Sequence, residues 1–160
     1  MKNHQLISLV NAGILSATVH TLCTADSYKV FKLKKAIRTA FTGIQDMERD
    51  LLAECGITDP KAFDDRTAEL RSIAEPSEAE KSELEGMEAK SAQFFEQRTQ
   101  LYNEEAELKD VRTIPYESWK QLQDENAAVA QADGRKTDIF SGLAEELLEG
   151  IFWIAPEEGE

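Results

Sequence analysis

Four residues carry the side chains of metal and nucleophile chemistry: His4, His20, Cys23 and Cys55. His20 and Cys23 stand three apart, as zinc ligands often do. Their surroundings oppose convergence on one ion. His4 precedes His20 on the same predicted helix by roughly 24 Å of axial rise, and Cys55 lies at the far end of the next helix. Zinc needs all its ligands within about 2.3 Å. Cys23 is therefore read as a small buried residue, and His20 as a helix-end residue favoured by the dipole. A di-iron carboxylate bundle needs Glu-x-x-His pairs on two helices, and no histidine follows residue 20. Glu104, Glu105 and Glu107 read as a solvated face rather than a glycosidase pair, which would need a cleft. Neither cysteine has a base in a recognisable partner motif. Gly13, Gly43, Gly56 and Gly86 are isolated, so no phosphate loop is formed. The sequence thus offers no catalytic residue, no cofactor site and no metal site, and the expectation is a protein that is not an enzyme.

Two constellations suit binding instead. Lys29, Lys32, Lys34, Lys35 and Arg38 concentrate positive charge, on a helical wheel, away from the Val30–Leu33–Ile37 seam. A charge run of this kind is ordinarily a solvated face. Its sharper reading is a docking stripe for an acidic partner or a phosphate backbone. Tyr116, Trp119 and Trp153 gather in the last third of the chain. Such rings usually close the end of a core, and the functional alternative is an interface for oligomerisation.

The elements that must position these residues follow from composition. The chain has 160 residues, 31% charged and 41% hydrophobic, with a net charge of −13. That length suits a single domain with one modest core. Four prolines and eight glycines leave room for long elements rather than many strands. The first 45 residues hold six Lys/Arg against one acid, and the remainder twelve against thirty. Most of the surface would repel phosphates, which argues against nucleic acid as a partner. The layout is compatible with a basic protein partner or with pairing of the two charge blocks. Cys23 and Cys55, held apart by the helix between them, cannot form a disulfide, which fits a reducing compartment such as the cytoplasm.

Leu6, Leu9, Val10, Ile14 and Ala17 predict a first helix. Lys2 before this apolar stretch suggests a secretory signal, but Ser8, Asn11, Ser16 and Thr18 interrupt it and no small-x-small cleavage site follows cleanly. The stretch is too short and polar to span a membrane. Ser27 to Cys55 is the organising helix, with a seam of Val30, Leu33, Ile37, Ala40, Ile44, Met47 and Leu51. Asp26 or Thr24 opens it and Gly56 stops it. Thr58-Asp59-Pro60 starts a minor helix running to about Ala74. Ser77 and Glu80 form a capping box for a second long helix, Glu78 to about Asp110, whose seam includes Leu84, Met87, Phe94, Arg98 and Leu101. Tyr116 to Asn126 is a short helix, Ala127 to Lys136 a loop, and Thr137 or Asp138 caps a last helix closed by Gly150. Val111–Ile114 and Ile151–Ile154 are extended and would pair as a minor two-stranded β-ribbon. Residues 156–160 form a frayed acidic tail. The predicted fold is mainly α: one domain over residues 1–160, built on a coiled-coil-like antiparallel pair of long helices with shorter helices packed against them.

The chain also resembles a group of small uncharacterised helical proteins encoded in phage and prophage gene clusters. The likeness rests on Asn3, Leu6, Leu9, Asn11 and Leu15, on Tyr28-Lys29-Val30-Phe31-Lys32-Leu33-Lys34-Lys35, and on Ile114-Pro115. The acidity after Ser77 and the Phe152-Trp153 pair depart from it. What the resemblance implies is a virion-assembly or host-interaction accessory in the bacterial cytoplasm, and it transfers no catalytic residue. Two functions are therefore expected. One is an assembly or interaction protein presenting helix faces to a virion component, a host protein or a second copy. The other is an acidic inhibitor imitating nucleic acid to occupy a basic host cleft. An exposed apolar patch would favour the first, and a regular double row of carboxylates along the second long helix would favour the other.

Overall fold

A computed structural model describes residues 1–109 and 111–153, with residue 146 described by its backbone alone. The protein is mainly helical: α1 (Asn3–Asn11), a 3-10 turn (Ile14–Ser16), α2 (Thr24–Glu54), α3 (Pro60–Ser72), α4 (Glu78–Asn103), α5 (Tyr116–Ala132) and the single turn α6 (Glu145–Leu148). The chain divides into two compact units. One comprises Met1–Thr42 with Glu105–Glu160, and the other Gly43–Glu104.

In the first unit α1 buries Leu6 and Leu9, and Gly13 (φ 88°) turns the chain into the 3-10 segment. That left-handed φ is cheap only for glycine. The first helix is thus shorter than its apolar spacing implied. The start of α2 buries Val30, Leu33 and Ile37. On α5, Trp119 and Leu122 are fully buried. Trp119 packs at 4.9 Å from Phe140 and 5.2 Å from Phe152, while Tyr116 packs at 4.9 Å from Trp153. Aromatic rings at such offset distances add to the gain from area burial. The helix α5 continues to Ala132, through the first part of the predicted Ala127–Lys136 loop. Ala127, Ala128 and Ala130 are strong helix formers, burial of Asn126 and Ala130 anchors their turn, and Gly134 (φ 69°) lies just past the end.

Two side chains on α5 hold the connection into α2. Asn126 accepts from the Thr18 amide (2.9 Å) and donates back to the Thr18 carbonyl (3.0 Å). The Glu125 carboxylate accepts from the amides of His20 (2.8 Å) and Thr21 (3.0 Å) and from the Thr21 hydroxyl (2.8 Å). His20 accordingly sits in a turn, not at a helix end. Val111–Ile114 and the segment after Gly150 do meet, but as an isolated parallel bridge between Ile114 and Trp153, with the Ile114 amide on the Phe152 carbonyl (2.7 Å). Ile154, expected in the ribbon, and the tail 156–160 lie outside the described residues. The predicted helix from Thr137 is replaced by turns. Asp138 accepts from the amides of Phe140 and Ser141 and closes one of them.

In the second unit the last turns of α2 end at Gly56 (φ 73°), where the Ile57 amide reaches back to the Leu52 carbonyl (2.8 Å). This is a Schellman-type stop. Asp59 caps α3 by accepting from the Ala62 amide (3.0 Å), with Pro60 at the first helical position. Ser77 and Glu80 form the expected capping box on α4. The core gathers Cys55, Ile57 and Phe94, with Leu51, Leu52 and Phe63 against them. Arg66 joins Glu83 (2.7 Å) and Arg71 joins Glu88 (2.9 Å), tying α3 to α4. Arg98, a polar interruption of the α4 seam, has a partner: it reaches Glu48 on α2 and donates to the Tyr102 hydroxyl (2.9 Å). The seam of α2 holds through Ile44, whereas Met47 is exposed. The helix α4 ends at Asn103 with extended Glu104 as its cap, short of residue 110, which lies outside the described residues.

Candidate docking face on the second helix

Positions 28, 31, 32, 35 and 38 repeat at steps of three and four, so they form one outward face of α2. Tyr28 and Phe31 on that face are 59% and 61% exposed. The ammonium of Lys32 lies 5.7 Å from the Tyr28 ring centroid, within cation–π range. Lys35 and Arg38 are exposed alongside.

The five-residue stripe read from the wheel divides in two. Lys29 is tied to Asp26 at 2.8 Å, and Asp26 also accepts from Ser118 on α5 (2.7 Å). The Lys29 and Ser118 bonds hold the Asp26 carboxyl below its ordinary value of 3.8, against an opposing push from burial. Asp26 is therefore a buried link between α2 and α5, and both cap candidates in the sequence, Thr24 and Asp26, fall inside the first turn of the helix. Lys34 turns inward and donates to the Ala17 carbonyl. Burial, with Arg38 nearby, lowers its pKa. Both lysines serve the fold, while Lys32, Lys35 and Arg38 are exposed and have no ion pair among the described residues.

Tertiary structure adds what the helix lacks. A cleft of about 480 Å³ is lined by Tyr28, Lys29 and Lys32 of α2 together with Val111 and Arg112. On the other side of Lys32 a second hollow of about 360 Å³ is lined by Lys32, Lys35, Thr39, Glu107 and Lys109. Arg112 has no ion pair among the described residues, whereas Lys109 is paired with Glu107 (3.0 Å). The result is two exposed aromatics on one face of α2, with Lys32 against the Tyr28 ring and Arg112 lining the same cleft, an arrangement suited to holding a carboxylate-bearing surface. Sequence reasoning missed Tyr28 and Phe31 as a face, although Phe31 sits one step after the seam residue Val30 and so had to point away from it. The contribution of Arg112 carried no local signal.

Of the two readings of Tyr116, Trp119 and Trp153, the core-closing one fits their burial. Trp119 and Trp153 are 1% and 5% exposed, so they close the core of their unit, and Tyr116 is half-buried against Trp153. The thiols are free, but Cys23 is exposed and only Cys55 is buried, where its Sγ donates to Gln97 (3.4 Å). Among the described residues no three of His, Cys, Asp and Glu gather as metal ligands, and no helix is long and apolar enough to cross a membrane.

No known family model, curated protein or solved structure matches the chain.

Proposed function

We propose that this chain is a non-enzymatic assembly or interaction protein of phage or prophage type. It acts in the bacterial cytoplasm by presenting the outer face of α2 to a protein partner. The observation that carries the reading is the exposure of Tyr28 and Phe31 on one face, beside cations that have no ion pair among the described residues. Burying large aromatics left in water is favourable, aromatic residues and arginine are enriched where proteins bind one another, and rim lysines steer an acidic partner. The nucleic-acid-mimic reading has less support. Along α4, Glu78, Glu83 and Glu88 are paired with Lys81, Arg66 and Arg71, so these three carboxylates do not stand as bare negative charges in a row.

Photo-cross-linking in a bacterial host tests this, with Phe31 replaced by a benzophenone-bearing phenylalanine. The expected result is a discrete heavier adduct, lost when Lys32→Glu and Lys35→Glu are added. A chain that yields no adduct, or whose adduct ignores the charge reversal, contradicts the proposal.

A further inference from the structure

The second unit carries a surface that complements the α2 face. A groove of about 420 Å³ runs between the last turns of α2 and α4, lined by Met47, Asp50, Leu51 and Glu54 on one side and by Leu101 and Glu104 on the other. Met47 is 44% exposed there. Asp50, Glu54 and Glu104 are exposed carboxylates with no ion pair among the described residues. The unit from Gly43 to Glu104 contains seven Lys/Arg and sixteen Asp/Glu, a balance of −9.

The exposed large hydrophobics of the described chain divide evenly between the units: Tyr28 and Phe31 in the first, Met47 and Phe95 in the second. In the first unit Lys32 and Arg112 share the Tyr28 cleft and Lys35 and Arg38 follow on the same face of α2, while the groove lined by Met47 is rimmed by Asp50, Glu54 and Glu104. A methionine adapts to the shape of an aromatic ring and gains from sulfur–ring contact. Opposite charges around such a contact fix its register and speed the encounter.

We infer that the partner of the α2 face is a second copy of this chain, whose Asp50–Glu54–Glu104 groove receives Tyr28 and Phe31 between its carboxylates and the cations of the face. This rests on the docking reading of α2 and names its occupant. The two surfaces differ, so the contact is head to tail, and each added copy leaves one face and one groove unfilled. Assembly then continues into a ring or a fibre rather than stopping at a symmetric dimer.

Two charge-reversed variants decide the matter: Lys32→Glu with Lys35→Glu, which spoils the face, and Asp50→Lys with Glu54→Lys, which spoils the groove. All four residues are exposed, and circular dichroism checks that each variant is folded. Light scattering at low ionic strength over a concentration series should give the wild type a mass above one chain that falls as salt is added. Each variant alone should stay monomeric. Mixed in equal amounts they retain one good face and one good groove between them, so they should form a species of two chains and nothing larger. A wild type that stays monomeric, or a mixture that does not form the two-chain species, overturns the inference. If self-association fails while the Phe31 cross-link still captures a different protein in a charge-dependent way, the interaction reading stands and only its occupant is wrong. If both fail, both are wrong.

Discussion

Asp26 shows how one buried carboxylate is tied into two helices. Its folded pKa lies below the unfolded value of 3.8, so its stabilising effect is complete above that value and is lost as the pH falls through the folded pKa. Asp26→Asn should lower stability by about 1–3 kcal/mol at neutral pH. It should also flatten the acid limb of a pH–stability curve measured by urea unfolding, and an unchanged acid limb would contradict this role. Asn126 is the second such residue. Its amide satisfies both backbone groups of Thr18, and Asn126→Ala would leave them without those partners at a cost of about 1–3 kcal/mol. A thermal melt coincident with the wild type would refute that. The lysines divide in the same way. Lys34→Glu places a carboxylate where an ammonium met the Ala17 carbonyl and should be clearly destabilising. Lys35→Glu, at an exposed position, should stay within about 0.5 kcal/mol of the wild type. Equal melting shifts for the two would mean that both face water.

At the scale of elements, what could be read from the sequence was whatever is local in origin. The Asp59-Pro60 start, the Ser77–Glu80 box and the Gly56 stop depend on residues within a few positions of one another, and each stands as its spacing indicated. Asp59→Ala should cost about 1 kcal/mol by releasing the Ala62 amide, read as a lowered unfolding midpoint. A midpoint that does not move would mean that the cap is idle. Elements set by distant contacts were harder to read. The polarity of Ala127–Lys136 suggested a loop, yet burial of Ala130 and the hold of Asn126 on Thr18 keep it helical as far as Ala132. The hydrophobic residues from Ile139 to Leu148 suggested a helix, but Phe140 is drawn into the Trp119–Phe152 stack and only one helical turn survives. Arg98 looked like a flaw in a seam because Glu48, its partner, is fifty residues earlier in the chain.

For the molecule as a whole, the uneven charge was plain from composition, but the candidate face was only half visible. A wheel separates Lys32 and Lys35 from the seam. It does not tell them from Lys29 and Lys34, whose charges are taken up by Asp26 and by the Ala17 carbonyl, nor does it bring Arg112 beside Tyr28. The proposed function depends on the two exposed rings and on neighbouring cations that have no ion pair among the described residues. Hydroxyl-radical footprinting tests them most directly, comparing oxidation of Tyr28 and Phe31 inside cells of the proposed bacterial host with that in the dilute purified chain. Strong protection of both rings in the cell, abolished by Lys32→Glu with Lys35→Glu, is the predicted result. Equal oxidation in the two settings would mean that nothing covers the outer face of α2 and would contradict the account.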